Sequence, residues 1–377
     1  MAEMPTVSYA PTDDHELIRA TARQFLDERL GPERVRELMM SEEGFEAGLW
    51  KEMADLGWTG LATSEDHGGA GLGPVEMGVL LEEMGRHVTP GPFFASAGLA
   101  TTVIEGVATS DQLAGLLPGL ASGETIATLA IFETPRGWSP EEPETTADEE
   151  GDSYVLRGAK RSVLAGESAG LFLVTANTGD GVGLFAVDST VDGLEVTREP
   201  VLDPTRRQAG LRLDSVRVPR SSRLGDGDVT AGLRQALALA TVYLAHEQVG
   251  GAQRCMDMSV DYAKTRYQFG RPIGSYQSIK HRCANMLMKV EHARSAAYYA
   301  ARVAGDSDEL AVAAPLAGSV ASEAYVWVAG ETIQVHGGIG FTWEHDAHIF
   351  LKRAKTSSLL LGSPQHQRDL LGRAIGI

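Results

Sequence analysis

The longest uninterrupted helical pattern in this sequence lies between Pro219 and Pro272, a stretch that contains no proline. Proline breaks the interior of a helix, so its absence allows one helix from about residue 229 to about 266. A helix of this length must bury one face along its whole course, because isolated helices are only marginally stable in water. The segment therefore predicts a bundle of long helices.

Three further segments with helical periodicity follow in the sequence. They cover about 275–304, 307–335 and 344–374. We expect the third to bend or restart at Pro315, and the fourth to break near Pro364. Four such segments with short connections predict an antiparallel four-helix bundle over residues 226–377.

The sequence before this bundle divides into two parts. Residues 12 to about 125 show helical spacing of apolar residues, and residues 126–225 show short β-like runs separated by Gly, Asp and Pro. Within the second part, Pro140–Asp152 is rich in carboxylates and is expected to be a solvated loop. The predicted fold class is α+β, with an N-terminal helical domain (1–125), a middle antiparallel β domain (126–225) and the C-terminal bundle.

The composition excludes several classes of function. The net charge of −18 argues against binding to nucleic acid, and no apolar run approaches the ~20 residues of a membrane span. Cys255 and Cys283 show no metal or redox spacing, so we expect reduced cysteines, no metal site and a cytoplasmic location. The N-terminus shows no secretory pattern, which agrees with that expectation.

The end of the first long helix carries the most specific motif. Tyr262-Ala-Lys-Thr-Arg-Tyr-Gln-Phe-Gly-Arg-Pro-Ile-Gly-Ser-Tyr-Gln277 places an arginine, an amide and an aromatic ring at a helix end. Free backbone groups and a guanidinium at such a point can hold a phosphorylated cofactor. The simpler alternative is that Arg266 caps the C-terminus of the helix.

A second motif, Gln334-Val-His-Gly-Gly-Ile-Gly-Phe341, puts three glycines just after a helix. Together the two motifs resemble the flavin-binding signatures of the acyl-CoA dehydrogenase family, whose α–β–α order also matches nearly the entire chain. The resemblance implies FAD as the cofactor and an assembly of at least two subunits, because the second motif would reach the adenosine half of a neighbour's FAD. It assigns FAD contacts to seven residues: Arg266, Gln268, Phe269, Gln277, Gln334, Gly337 and Gly338.

The resemblance also implies α,β-dehydrogenation of an acyl-CoA thioester, in which a carboxylate removes the α-proton while the flavin accepts a hydride. The position of the family's usual catalytic glutamate holds Leu361, which cannot take a proton. Two segments that would face the flavin ring also depart from the family pattern: Phe132–Ser139 and Ser162–Leu164. The nucleotide half of the cofactor site is thus better supported than the flavin half.

Glu247 is the candidate replacement base. Some family members carry their catalytic glutamate on this long helix, although that position is Ala240 here, two turns or about 10 Å away. A carboxylate in an apolar groove would have a raised pKa, as a general base needs. The alternative is a structural carboxylate that bonds His246, Arg254 or a group on a partner helix.

Two functional hypotheses follow. The first is a FAD-dependent acyl-CoA dehydrogenase that acts on an acyl-CoA substrate and passes electrons to an electron-transfer flavoprotein or similar acceptor, as a homodimer or homotetramer. The second is a catalytically degenerate subunit, paired in a heterotetramer with a related chain that carries the base. Glycines at 250 and 251 also suggest close approach of another group or room for a bulky acyl chain.

Overall fold

The computed structural model describes residues 11–133 and 138–377. The N-terminal part is helical, as predicted. Its helices are α1 (Asp13–Arg29), α2 (Pro32–Met40), α3 (Ala47–Asp55), α4 (Pro74–Arg86), α5 (Thr101–Val107) and α6 (Ser110–Ala121), with a π-helical segment, Phe94–Ala100, running directly into α5. Thr12 starts α1 by accepting a hydrogen bond from the backbone N–H of His15, which satisfies one of the free amides of the first turn.

The middle part is an eight-stranded sheet. Its strands are β1 (Ala127–Ala130), β2 (Thr146–Glu150), β3 (Ser153–Leu164), β4 (Leu171–Asn177), β5 (Val182–Asp188), β6 (Leu194–Arg198), β7 (Gln208–Pro219) and β8 (Arg223–Leu224). The order is β6-β7-β3-β2-β4-β5-β8, with β1 beside β4. The sheet is mostly antiparallel, as predicted, but β4 pairs in parallel with β1 and with β2. The chain between β1 and β4 is long enough to return in the same direction, as parallel pairing requires.

The acidic run Pro140–Asp152 is not entirely a loop, in contrast to its prediction. Its second half forms β2, which pairs with β3. The exposed carboxylates of this strand meet arginines of β3 and of the segments after it. The pairs are Asp148 with Arg157 at 2.8 Å, Glu150 with Arg217 at 2.5 Å, and Glu149 with Arg220. Charge density predicted solvation correctly, but basic side chains from distant segments allow the strand to form.

The C-terminal part consists of helices α7 (Thr230–Thr265), α8 (Gln277–Arg302), α9 (Ser307–His336), α10 (Ala347–Ser357) and α11 (Pro364–Ala374). The predicted break before Pro364 is present. The restart predicted at Pro315 is absent, since α9 continues through this buried proline. Packing of α9 against α7 and α8 compensates for the missing backbone hydrogen bond. The segment Ser307–Phe341, which is α9 with the 3-10 turn after it, is long and apolar enough to cross a membrane, yet 61% of its most apolar stretch of 18 residues is buried within the fold.

Glycines set the distance between α4 and α7. A Cβ atom on Gly250 would overlap the carbonyl oxygen of Glu82, and one on Gly85 would overlap the carbonyl oxygen of Glu247. A Cβ on Gly251 would come within 2.5 Å of the hydroxyl oxygen of Tyr325. The expected close approach at residues 250 and 251 is therefore confirmed. The room for a bulky acyl group is not, because α4 backbone and a tyrosine ring occupy it.

The side chain of His246 gives this part of the fold a pH dependence. The ring is fully buried, with Tyr298 edge-on at 4.7 Å between ring centroids and with Glu82, Arg19 and Arg294 as the nearby charges. Burial lowers the pKa of His246 to about 4. The unfolded chain then binds more protons than the folded chain between about pH 6.5 and 4, so acidification through this window destabilises the fold.

We expect His246→Phe to remove this sensitivity. Relative to the variant, the wild-type protein should lose about 3 kcal/mol of unfolding free energy between pH 7 and pH 4, which corresponds to the difference between the two pKa values. Urea unfolding at stepped pH measures it. Parallel pH profiles of the two proteins would show that His246 contributes nothing to acid sensitivity.

Candidate functional site

The two motifs meet at one end of the helical bundle. The Tyr262 ring, near the end of α7, stacks on the His336 ring at the end of α9, with 4.5 Å between ring centroids. His336 also hydrogen-bonds the carbonyl oxygen of Thr332 through Nδ1 and is buried. His336 is thus a packing residue that holds the two motifs beside each other.

The first motif forms a small antiparallel hairpin, β9 (Tyr267–Gln268) and β10 (Arg271–Pro272), between α7 and α8. Its turn places Phe269 and Gly270 at positive φ, and the Phe269 ring is 92% exposed. The Tyr276 hydroxyl donates a hydrogen bond of 3.1 Å to the carbonyl oxygen of Gln268 and anchors the hairpin. The sequence pattern predicted the turn, because glycine and proline punctuate it.

The Arg266 side chain is exposed at this hairpin. Its backbone N–H bonds the carbonyl oxygen of Tyr262 and closes α7. Its guanidinium has no hydrogen-bond or ion-pair partner within 11–133 and 138–377. The guanidinium therefore does not cap the helix, and it is free to bind an anion. Gln277, also exposed, is the first residue of α8, whose free amides attract negative charge.

The second motif is open to solvent on the side of its glycines. Gln334, Gly337 and Gly338 are exposed, and a Cβ atom on either glycine would meet no atom within 4 Å. Gly337 has φ +64°, which glycine adopts without strain. No packing inside the described chain explains the missing side chain of Gly338, so the space suits a group from outside this chain.

Large apolar side chains surround the two motifs and remain exposed. Phe269, Phe341 and Trp343 are 92%, 75% and 62% exposed. Contiguous exposed apolar surface is typical of sites that bind another molecule. On α8, Leu287 and Met288 are also exposed.

The two positions to which the resemblance assigns a catalytic carboxylate are apolar and buried in this chain. Leu361 is 5% exposed and Ala240 is 0% exposed, and both belong to one hydrophobic cluster that also contains Tyr243 and Leu244. Leu361 adopts φ +56°, an uncommon conformation for a residue with a branched side chain. These positions supply packing and no proton acceptor.

Glu247 lies in a buried ion cluster. Arg206 donates to both of its carboxylate oxygens, with Nη2–Oε1 at 2.5 Å, and Arg353 donates to Oε1 at 2.8 Å. Glu247 is 4% exposed. Burial would raise the pKa of Glu247, but the charges and hydrogen bonds of the two guanidiniums outweigh it and lower the pKa.

These surroundings correct the expected pKa of Glu247 and agree with the structural alternative. Its pKa is lowered where an apolar groove was expected to raise it, because arginines from distant segments enter the groove. Of the partners expected for a structural carboxylate, a group on another helix is present as Arg353 of α10, whereas His246 and Arg254 do not contact the carboxylate. Arg206 comes from the loop before β7 and Arg353 from α10, so the carboxylate joins three separate segments.

The cluster extends beyond Glu247. Arg353 donates to Asp203 at 2.8 Å and to the Thr205 hydroxyl at 2.7 Å. The Arg206 guanidinium lies over the Phe94 ring, 5.1 Å from its centroid. Two guanidiniums thus face two carboxylates, which balances the buried charge. No local pattern marks these residues, since the contacts to Glu247 span 41 and 106 positions.

Of the two segments expected near a flavin ring, Ser162–Leu164 forms the end of strand β3. Val163 and Leu164 are buried, and the Ser162 backbone N–H donates to Glu199 at 3.1 Å. In the segment Phe132–Ser139, residues 134–137 fall outside the described part of the chain. Glu133 is buried in an ion pair with Lys160 at 2.6 Å, so this carboxylate stabilises the sheet domain internally.

Comparison with known proteins gives consistent matches. Residues 12–124 match the family described as acyl-CoA dehydrogenase, N-terminal domain, and residues 232–376 match acyl-CoA dehydrogenase, C-terminal domain. The chain is 34% identical to acyl-CoA dehydrogenase IpdE2 of Mycolicibacterium smegmatis, over 94% of this chain and 97% of that protein.

Two solved structures are similar over nearly the whole chain. A variant of the Tcur3481-Tcur3483 steroid ACAD superimposes with a TM-score of 0.88 at 33% identity, over 96% of this chain and 98% of that one. A chain of the ChsE4-ChsE5 complex from Mycobacterium tuberculosis superimposes with a TM-score of 0.90 at 29% identity, over 98% and 99% of the two chains. The α+β fold class predicted from the sequence is confirmed.

Proposed function

Since this chain belongs to the acyl-CoA dehydrogenase family, we propose that it is the subunit of a heteromeric acyl-CoA dehydrogenase that lacks the catalytic base. This proposal depends on one observation: none of the three positions considered for the catalytic base holds a carboxylate free to accept a proton. Leu361 and Ala240 are buried apolar residues, and the carboxylate of Glu247 is paired with two arginines. A related subunit would then supply the carboxylate that removes the α-proton.

The family's cofactor is FAD, which when bound accepts a hydride from the β-carbon of the acyl-CoA thioester. The residues of the first motif fit its nucleotide half. We assign Arg266, Gln268, Phe269 and Gln277 to the pyrophosphate region, because the Arg266 guanidinium is free and the α8 N-terminus lies beside it.

The second motif would contact the adenosine half of a neighbouring subunit's FAD. We assign Gln334, Gly337 and Gly338 to this contact, since all three face open space at the same end of the bundle. The exposed apolar side chains around both motifs support a subunit interface there. The two solved neighbours described above are each named for two components, which supports a related chain as the partner.

The alternative proposal keeps Glu247 as the base of a self-sufficient enzyme. For this role the carboxylate would have to leave Arg206 and Arg353 and accept a proton. Both arginines stabilise the charged form, which makes the carboxylate a weaker base. Glu247 also joins the loop before β7 to α7 and α10, and we propose that this structural role is its function.

Purification of the chain alone and with a base-bearing family member from the same source tests the proposal. Alone, the chain should fold, carry less than one FAD per subunit and fail to reduce an artificial electron acceptor with any acyl-CoA. Together, the two chains should form a yellow complex with activity. One neighbour is named a steroid ACAD, so acyl-CoA thioesters with a steroid ring belong in the substrate panel. A yellow, active protein obtained from this chain alone would refute the subunit proposal.

Glu247→Gln separates the two roles of that carboxylate. In the folded, FAD-loaded complex we expect turnover within about threefold of wild type, because the base lies on the other chain. Loss of a general base costs about 10²-fold or more. A loss of that size with circular dichroism and FAD content unchanged would instead identify Glu247 as the base.

A further inference from the structure

A cavity of about 260 Å³ lies between helices α1, α2, α4, α7 and α10, and none of its lining residues belongs to the two motifs described above. Apolar side chains form much of its wall: Leu30, Val35, Val88, Met258, Ile349 and Phe350. Arg254 of α7 also lines it. Arg254 precedes Arg266, the C-cap residue of α7, by twelve residues, which separates the two by about 18 Å along the helix axis. The cavity is therefore distinct from the proposed nucleotide site.

The other charged groups at this cavity are already paired. The pairs are Arg23 with Glu83 at 2.7 Å, Arg86 with Asp257 at 2.7 Å, His87 with Asp27 at 2.9 Å, and Asp346 with Arg36 at 2.6 Å. Each cation at the wall thus has a carboxylate neighbour, with one exception.

The exception is Arg254. Its side chain is half-buried, and no hydrogen bond or ion pair joins it to any residue in the described part of the chain. This is unusual in a protein of net charge −18, where carboxylates are plentiful. Partial burial removes water from a guanidinium, so an anion that pairs with it gains a strong, charge-assisted contact.

We propose that this cavity binds a small organic anion, with its carboxylate on Arg254 and a short apolar body against Met258, Ile349 and Phe350. A planar guanidinium presents two parallel N–H donors, which match the two oxygens of a carboxylate. The apolar wall selects a ligand with a hydrocarbon or aromatic body over an inorganic anion. This site is additional to the proposed function, and its test does not depend on FAD or on a partner chain.

4-Fluorobenzoate is a suitable probe, because ¹⁹F NMR detects weak binding through line broadening. With the full-length wild-type protein we expect broadening that saturates with a Kd on the order of 1 mM or below. 4-Fluorobenzyl alcohol, which has the same ring without the charge, should bind at least about tenfold more weakly.

Arg254→Gln should raise the Kd for 4-fluorobenzoate at least about tenfold. The matched control is Arg234→Gln, the same substitution on the same helix at a surface arginine that pairs with Glu141. This control should leave the Kd unchanged. Gly31→Leu keeps Arg254 and adds bulk at the cavity wall, where a Cβ would meet no atom within 4 Å; it should also weaken binding.

Three results would overturn the proposal. The first is the absence of saturable broadening up to about ten times the expected Kd. The second is an equal Kd for the Arg254→Gln and Arg234→Gln variants. If Arg254→Gln does not fold, a Kd for Gly31→Leu equal to that of the wild type would overturn the proposal instead. The third is full displacement of the probe by inorganic phosphate at equal concentration, which would show that the apolar wall contributes nothing.

Discussion

Arg353→Ala is expected to lower the free energy of unfolding by about 3–5 kcal/mol, the usual cost of breaking a buried ion pair from one side. The guanidinium of Arg353 is buried and donates to Glu247, Asp203 and Thr205. Its removal leaves Asp203 without its cation and Glu247 with Arg206 alone. The remaining charges stay out of water, so the full desolvation cost appears in the stability. Urea unfolding followed by circular dichroism measures the change.

Arg234→Ala is the matched control for this prediction. Arg234 also pairs with a glutamate, Glu141, but both side chains are more than half exposed. Exposed pairs contribute about 0–1 kcal/mol, so the control should unfold almost as the wild type does. Equal urea midpoints for the two variants would show that the buried cluster does not stabilise the fold.

Gly250→Ala is expected to destabilise the protein by about 1–3 kcal/mol, although alanine is the better helix former. The added Cβ would overlap the carbonyl oxygen of Glu82 and lie 3.0 Å from the backbone nitrogen of Arg86. Backbone atoms of α4 cannot move away without a shift of the whole helix, so the overlap must be relieved by separating α4 from α7. Unfolding free energies from urea denaturation test this directly.

Gly330→Ala provides the comparison, because Gly330 lies inside α9 and a Cβ there would meet no atom within 4 Å. This substitution should leave the protein unchanged or stabilise it by up to about 1 kcal/mol. The two glycine variants are thus expected to change stability in opposite directions. Stabilisation by Gly250→Ala would mean that α4 and α7 are not in the close contact described here.

The helices could be predicted from sequence because their signals are local. The proline-free stretch after Pro219 predicted α7 to within a few residues, and Pro364 marks the start of α11. The strands of the sheet were harder to predict from sequence. β2 was missed because its acidic residues indicate solvation, and its stability depends on arginines from β3 and the chain beyond. The parallel pairing of β1 with β4 is a non-local contact that no local pattern carries.

In the candidate site too, the features that depend on local sequence could be predicted and those that depend on distant contacts could not. The motif that ends α7 was sufficient to indicate the family and FAD. Its turn at Gly270 and the helix start at Gln277 depend only on residues that are close together in the sequence. The identity of Leu361 was likewise the basis for the proposal that the usual base is missing. Residue types within one short segment determine such features.

The sequence by itself therefore determined most of the helical elements, the family and its cofactor, and it placed Leu361 where the resemblance puts a catalytic carboxylate. Only the tertiary structure decided the environment of Glu247. The residues on its helix face predicted an apolar groove and a raised pKa for Glu247. In the fold, Arg206 and Arg353 lie in that groove and lower the pKa of Glu247. The physical reason is that a pKa depends on charges within a few ångströms, and folding brings those charges from residues 41 and 106 positions away.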